Sequence, residues 1–147
     1  MSKEAGEKAF SAWTGLWRAQ GRILGAVEGA LKDAGLPPLS WYDVLIELER
    51  AGEDGLRPFE LERAILLPQY GLSRLLDRIE RDGYLQRRPC PEDRRGLNIV
   101  ITAEGKALRK RMWPVYGAAI KDKLENKLSD AELEALGGLL GKLLERQ

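Results

Sequence analysis

Phe10, Trp13, Trp17, Leu24, Val27 and Leu31 recur at spacings of three, four or seven. That is the repeat of one helical face, and it predicts a long helix over residues 5–33 with a single apolar stripe. Gly35, Pro37 and Pro38 end it. Ser40, with Asp43 three residues later, predicts an N-cap and a second helix through Glu49, with Val44, Leu45 and Leu48 turned inward. Residues 51–55 read as a turn. Pro58 fits the first position of a short helix to Leu66, where a missing N–H is an orphan in any case. Pro68 fits the same position of a fourth helix, 68–82. Its Leu72, Leu75, Leu76 and Ile79 lie on one face, and Tyr70, Arg74, Asp77 and Arg81 on the other, with Ser73 at their edge.

Asp82 and Gly83 stop that helix, and 84–88 and 97–102 read as two strands, the second alternating Leu97, Ile99, Ile101 against Asn98, Val100, Thr102. Between them, 89–96 form a hairpin tip carrying Arg94 and Arg95. Thr102 is the expected cap of a helix over 103–126, which Pro114 should kink. Ser129, Asp130, Ala131 and Glu132 form a capping-box pattern opening a last helix with Leu133, Leu136, Leu140, Leu143 and Leu144 on one face. Two short helices followed by a hairpin are the build of a winged helix-turn-helix. The expected fold is therefore mainly α with a small β-hairpin wing: a winged core at 39–102 between helices at 1–38 and 103–147.

Composition narrows the function. The 147 residues suit one compact chain, and 44% hydrophobic with 32% charged residues is too apolar for disorder and too charged for a bilayer. No membrane contact is expected. Glu4 and Glu7 precede no apolar segment, which speaks against a secretory signal and makes a cytoplasmic location the expectation. The absence of histidine removes Ser-His and Cys-His nucleophile pairs and the usual zinc sets, and the single Cys90 cannot form an internal disulfide. Carboxylates such as Glu47, Glu49 and Glu60 stand without a Gly-rich phosphate loop or a metal-ligand cluster. No enzyme activity, metal or cofactor is expected.

The net charge of +1 hides an uneven distribution. Residues 1–39 hold 5 basic and 4 acidic groups, 40–70 hold 3 and 7, 71–111 hold 11 and 6, and 112–147 hold 5 and 6, giving nets of +1, −4, +5 and −1. A basic middle points to an anionic partner. A helix face with Gln69, Tyr70, Ser73 and Arg74 offers contacts to guanine edges, thymine methyls and phosphates in a major groove. Arg94 or Arg95 on a narrow hairpin suits the negative potential of a minor groove.

Arg-Leu-Leu-Asp-Arg-Ile-Glu-Arg-Asp-Gly-Tyr-Leu-Gln-Arg-Arg (74 to 88), then Pro91-Glu92-Asp93-Arg94-Arg95-Gly96, then Val100-Ile101-Thr102-Ala103-Glu104-Gly105, resemble the recognition helix, wing and following helix of the MarR family of transcription regulators. The resemblance covers 39–111 and departs at Arg57 and Pro68, where that family commonly has Ser or Thr. It implies a homodimer joined by its terminal helices on pseudo-palindromic double-stranded DNA. It also implies a repressor released by a small aromatic or phenolic ligand. By position, Arg95 resembles the minor-groove arginine, Asp93 its carboxylate brace, and Gln69, Tyr70, Ser73 and Arg74 the major-groove face. Trp41 and Tyr42 stand where the family's ligand pocket lies.

Competing readings stay open on the residues alone. Arg74 and Arg81 can serve as partners of Asp77. Arg87 and Arg88 suit strand-edge charges as well as phosphate ligands. Cys90 reads as an exposed thiol or as a redox switch, although the family's peroxide-sensing branch uses a cysteine near the N-terminus that this chain lacks. Phe10, Trp13 and Trp17 read as core or dimer packing. The alternatives to a ligand-controlled regulator are a helical protein-interaction adaptor and a DNA-binding protein without ligand control.

Overall fold

The structure, a computed structural model, describes residues 3–68, 70–90 and 93–145, with the backbone alone for 93–95. It divides into two compact units, 31–114 and 1–30 with 115–147.

The 31–114 unit holds α2 (Leu39–Ala51), α3 (Pro58–Ala64), α4 (Leu72–Arg81) and the hairpin β1 (Leu85–Cys90) with β2 (Asp93–Ile101). It also takes in the last residues of α1 (Glu7–Asp33) and the first part of α5 (Ala103–Ile120). Val44, Leu45, Leu48, Leu61, Ile79, Ile99, Leu108 and Met112 are fully buried at its centre. Burying a side chain of this size contributes about 1.5–3 kcal/mol, so these positions hold the helices around the hairpin.

Local pattern and structure part company at several places. α2 opens directly after Pro38 with no side-chain cap, so Ser40 is not its N-cap. Asp43 does not serve its own helix start: it is 7% exposed, and its Oδ1 and Oδ2 accept the backbone N–H of Leu66 at 2.8 Å and of Leu67 at 2.7 Å. Those donors lie in the turn between α3 and α4, where two backbone groups would otherwise go unpaired.

α4 begins at Leu72, four residues later than Pro68 predicts. Ile65 is extended and ends α3. The chain then turns through Gly71 at φ 76, a left-handed conformation that favours glycine, and the Gly71 carbonyl accepts the N–H of Arg74 at 3.0 Å to start the helix.

In the hairpin, Leu85 pairs with Ile101 and Pro89 with Leu97, so Pro89 and Cys90 belong to a strand and not to a tip. Cys90 then pairs with Asp93, leaving Arg94, Arg95 and Gly96 in an irregularity of β2 with no partner on β1. The alternation expected for β2 is lost, since Ile99, Val100 and Ile101 are all buried while Leu97 is exposed. The cause lies elsewhere in the chain. Leu56 exchanges backbone hydrogen bonds with Ile99 at 3.0 and 2.8 Å, and Gly55 lies against the Val100 side chain, so 55–56 cover the outer side of β2.

Thr102 caps α5 as expected, its Oγ1 accepting the Gly105 N–H at 3.0 Å and donating to the Gly83 carbonyl at 2.6 Å. α5 runs through Pro114 to Ile120 and gives way to a π-helical turn, Lys121–Glu125, where a continuous helix to 126 was predicted. α6 (Asp130–Leu144) opens on the predicted capping box: Ser129 Oγ accepts the Glu132 N–H at 3.1 Å, and Glu132 Oε1 accepts the Ser129 N–H at 2.9 Å.

In the terminal unit the apolar stripes are largely uncovered. Phe10, Trp13 and Trp17 are 65%, 58% and 67% exposed, and Leu139, Leu143 and Leu144 are exposed too. An open cleft of about 530 Å³ lies between α1 and α6, lined by Leu16, Ile23, Leu136, Leu140 and other small or apolar residues. Among the described residues, no helix is long and apolar enough to cross a membrane.

Candidate nucleic-acid interface

α4 buries Leu75, Leu76 and Ile79 and therefore turns Ser73, Arg74, Asp77, Arg78 and Arg81 outward. Arg78 was missed by the sequence reading, although it stands four residues after Arg74 and so shares its face. Tyr70 is fully exposed but sits in the turn before α4, so it is not a helix-face residue as predicted. Gln69 lies outside the described residues. So do the side chains of Asp93, Arg94 and Arg95, whose backbone runs in β2.

The acidic residues of α4 do not pair with its own arginines. Arg87 on β1 takes both: its Nη1 lies 2.9 Å from Asp77 Oδ1 and 2.7 Å from Glu80 Oε1. The Arg87 backbone N–H also donates to Glu80 Oε2 at 2.9 Å, and its Nη2 donates to the Ser73 carbonyl at 3.4 Å. Arg87 is thus committed within the protein rather than to a phosphate. Arg88 is exposed, its Nη2 3.3 Å from Gln86 Oε1. Among the described residues Arg74, Arg78 and Arg81 make no ion pair. With Asp77 and Glu80 both drawn to Arg87, the outward face of α4 presents three guanidinium groups, which suit phosphates and base edges through their planar donors.

Trp41 and Tyr42 lie in separate aromatic pairs. Trp41, half-buried, meets Tyr84 edge-on with centroids 6.1 Å apart, whereas Tyr42 is buried and stacks on Trp113 at 6.3 Å. Neither lines the cleft between α1 and α6. Arg109 sits close by, its Nε 2.9 Å from Glu49 Oε2 in an ion pair that is off the axis of a hydrogen bond. Burial opposes the Arg109 charge, but the Glu49 carboxylate and the Tyr42 hydroxyl outweigh it and hold its pKa above the ordinary arginine value.

Cys90 is buried, not exposed, and accepts a hydrogen bond from Arg57 Nη2 at 3.3 Å. Arg57 stands directly ahead of α3, and its backbone N–H donates to Glu60 Oε1 at 3.0 Å.

Comparison with known proteins places this geometry. A model of the MarR family matches residues 34–96. The HTH-type transcriptional repressor YetL of Bacillus subtilis is 34% identical over 105 residues, 71% of this chain and 62% of YetL, so the chain spans about three fifths of that relative. The multiple antibiotic resistance protein MarR of Salmonella typhimurium is 30% identical over 103 residues, 70% of each chain. The fold is similar to that of Sco3205, a MarR family transcriptional regulator from Streptomyces coelicolor solved in complex with DNA. The TM-score is 0.84 over 97% of this chain and 89% of that one, at 24% identity.

Proposed function

The chain belongs to the MarR family, and we propose that it is a sequence-specific regulator of transcription that binds double-stranded DNA as a homodimer. The observation that carries this reading is the outward face of α4, where Arg74, Arg78 and Arg81 stand clear of ion pairs among the described residues while Arg87 pairs with both acids of the helix. A hairpin bearing Arg94 and Arg95 follows directly in the chain. A helix of this kind enters a major groove, and a wing arginine, Arg95 by position with Asp93 as its brace, enters the neighbouring minor groove. YetL, a repressor by name, supports the repressor direction.

The homodimer rests on the exposed stripe of Phe10, Trp13 and Trp17 together with the leucines of α6, apolar surface that a second copy covers. Two-fold symmetry then asks for a pseudo-palindromic site with half-sites about 10 bp apart. Release by a small aromatic ligand at Trp41 and Tyr42 is the finer part of the proposal, supported by their paired rings and the half-buried Arg109 guanidinium beside Tyr42. A coupling of about 1–3 kcal/mol would weaken DNA binding 5- to 150-fold, and DNA would weaken the ligand equally.

The test is selection of duplex fragments from a random pool by the purified protein, followed by a mobility shift on the enriched sequence. Enrichment of a two-fold site supports the reading. Failure to bind any duplex at low salt would overturn it in favour of a helical adaptor. Phenolic acids titrated against tryptophan fluorescence, with and without the enriched DNA, test ligand control; equal affinity in both conditions would mark the compound as bound without regulating.

A further inference from the structure

One side chain on the hairpin touches α4 along three successive turns. Arg87 reaches Ser73, Asp77 and Glu80, which are spaced i, i+4 and i+7 and so form a single stripe down the helix. At Glu80 the contact is double: Oε2 accepts the Arg87 backbone N–H at 2.9 Å and Oε1 accepts Nη1 at 2.7 Å. Arg87 is itself fixed in the strand ladder, opposite Ile99. Resting on the DNA-binding reading above, we propose that Arg87 is a positioning residue that sets the angle and register of α4 against the hairpin, with Glu80 as its principal partner. The major-groove and wing contacts to DNA are then made as one rigid unit.

The physical need for such a pin follows from what else holds α4. Leu75, Leu76 and Ile79 anchor its inner side and the Gly83 and Tyr84 N–H groups tie its last turn to the start of the hairpin, but apolar burial is non-directional and sets the angle of a ten-residue helix less sharply than directed hydrogen bonds do. A planar guanidinium that donates to Glu80 and to the Ser73 carbonyl, with Asp77 as an ion-pair partner between them, sharpens that setting, because its donors have fixed directions that a point charge lacks. The pin also offsets part of the negative charge of two carboxylates beside the arginine face, where bare they would repel phosphate more strongly. Arg87 is half-buried, with a side-chain exposure of 22%, and it is spent on the protein, which separates it from Arg74, Arg78 and Arg81. Specificity should therefore depend on Arg87 although it contacts no base.

The experiment compares the full-length protein with Arg87→Met, Arg87→Lys and Glu80→Gln on the selected duplex and on random duplex, across a salt series. Arg87→Met and Arg87→Lys should each lower the ratio of specific to random affinity, by about tenfold, the range of coupled contact pairs. Glu80→Gln, the mildest change, should lower it in the same direction and add little when combined with Arg87→Met. Adding Asp77→Asn and Glu80→Gln to Arg87→Met should restore random-duplex affinity by removing the repulsion, yet leave the ratio low. Amide hydrogen exchange should speed up in α4 and at the Arg87 N–H in every variant while the melting transition stays cooperative. An equal loss on both duplexes, with the slope of log affinity on log salt falling by about 0.9, would make Arg87 a phosphate ligand and overturn the proposal. Full rescue of the ratio by Arg87→Lys would overturn it as well, since a point charge would then suffice. If the unaltered protein binds no duplex, the DNA reading itself falls and takes the positioning role with it. If it binds and the ratio is unmoved, only the positioning role falls.

Discussion

The Arg57 guanidinium donates to the Cys90 thiol, Nη2 to Sγ at 3.3 Å, and so ties the residue ahead of α3 to the end of β1. The same guanidinium lies over Gly96: a Cβ added there would fall 2.6 Å from Arg57 Nη1. Three chain segments thus meet at the base of the wing around one arginine, and the small residue at 96 leaves room for it.

From this follows the behaviour of the thiol. Cys90 is 8% exposed, so a thiol reagent should label the native protein far more slowly than the urea-unfolded chain, because attack requires access. Arg57→Ala and Gly96→Ala should both speed labelling, the first by removing the cover and the second by displacing it. Labelling as fast in the native protein as in urea would contradict the burial.

Asp43 carries the turn between α3 and α4. Asp43→Asn keeps the shape but offers one acceptor oxygen to two backbone donors. The loss should be about 1–3 kcal/mol, the cost of an unsatisfied buried group, read from urea unfolding monitored by tryptophan fluorescence. Asp43→Ala should cost more, and both should weaken DNA binding through the displaced turn. A solvent-exposed carboxylate such as Glu62 serves as control, with a change near zero expected.

Arg74→Ala should lose about 1–3 kcal/mol on the selected duplex and relax preference at one position in each half-site, if it reads a base edge. Arg78→Ala tests the residue that pattern reading overlooked. A uniform loss on all sequences together with a shallower salt dependence would assign it to phosphate. Quantitative mobility shifts on the selected and random duplexes separate the two.

The terminal helices predict the oligomeric state. Trp17→Glu places a charge in the exposed stripe of Trp13 and Trp17, whose rings lie 5.9 Å apart. It should shift a dimer toward monomer in sedimentation analysis while leaving the helical circular dichroism signal in place. A protein that sediments as a monomer before any substitution would remove the dimer from the proposed function.

Backbone and side-chain hydrogen bonds with Ser129 hold the Glu132 carboxyl below its ordinary value. A lowered folded pKa stabilises the capped form fully above the ordinary glutamate value of about 4.3, and the effect is lost as pH falls through the lowered value. Glu132 is fully exposed, so the consequence is local: fraying at the start of α6 at low pH, seen as loss of amide protection at Glu132. Ser129→Ala should move the Glu132 titration, followed by NMR, back toward the ordinary value.

What the chain's own pattern determined is whatever is decided within a few residues. Apolar spacings of three and four marked α1, α2, α4 and α6; Thr102 and Ser129 marked two helix starts by hydroxyls that cap their own helices; and the motif from Arg74 to Gly105 marked the winged core and its family. Such signals are legible because donor and acceptor, or successive turns of one face, lie on the same short stretch. The tertiary structure decided the rest. Asp43 looked like a partner for its own helix and serves Leu66 and Leu67 instead; Pro68 looked like a helix start until the turn through Gly71 moved α4 to Leu72. Cys90 looked exposed until Arg57 covered it, and Asp77 looked like a partner for Arg74 until Arg87 arrived from the hairpin. In each case the deciding contact joins residues on different elements. A buried or charged group takes the partner that chain packing brings within hydrogen-bond distance, and local spacing carries no record of which partner that is.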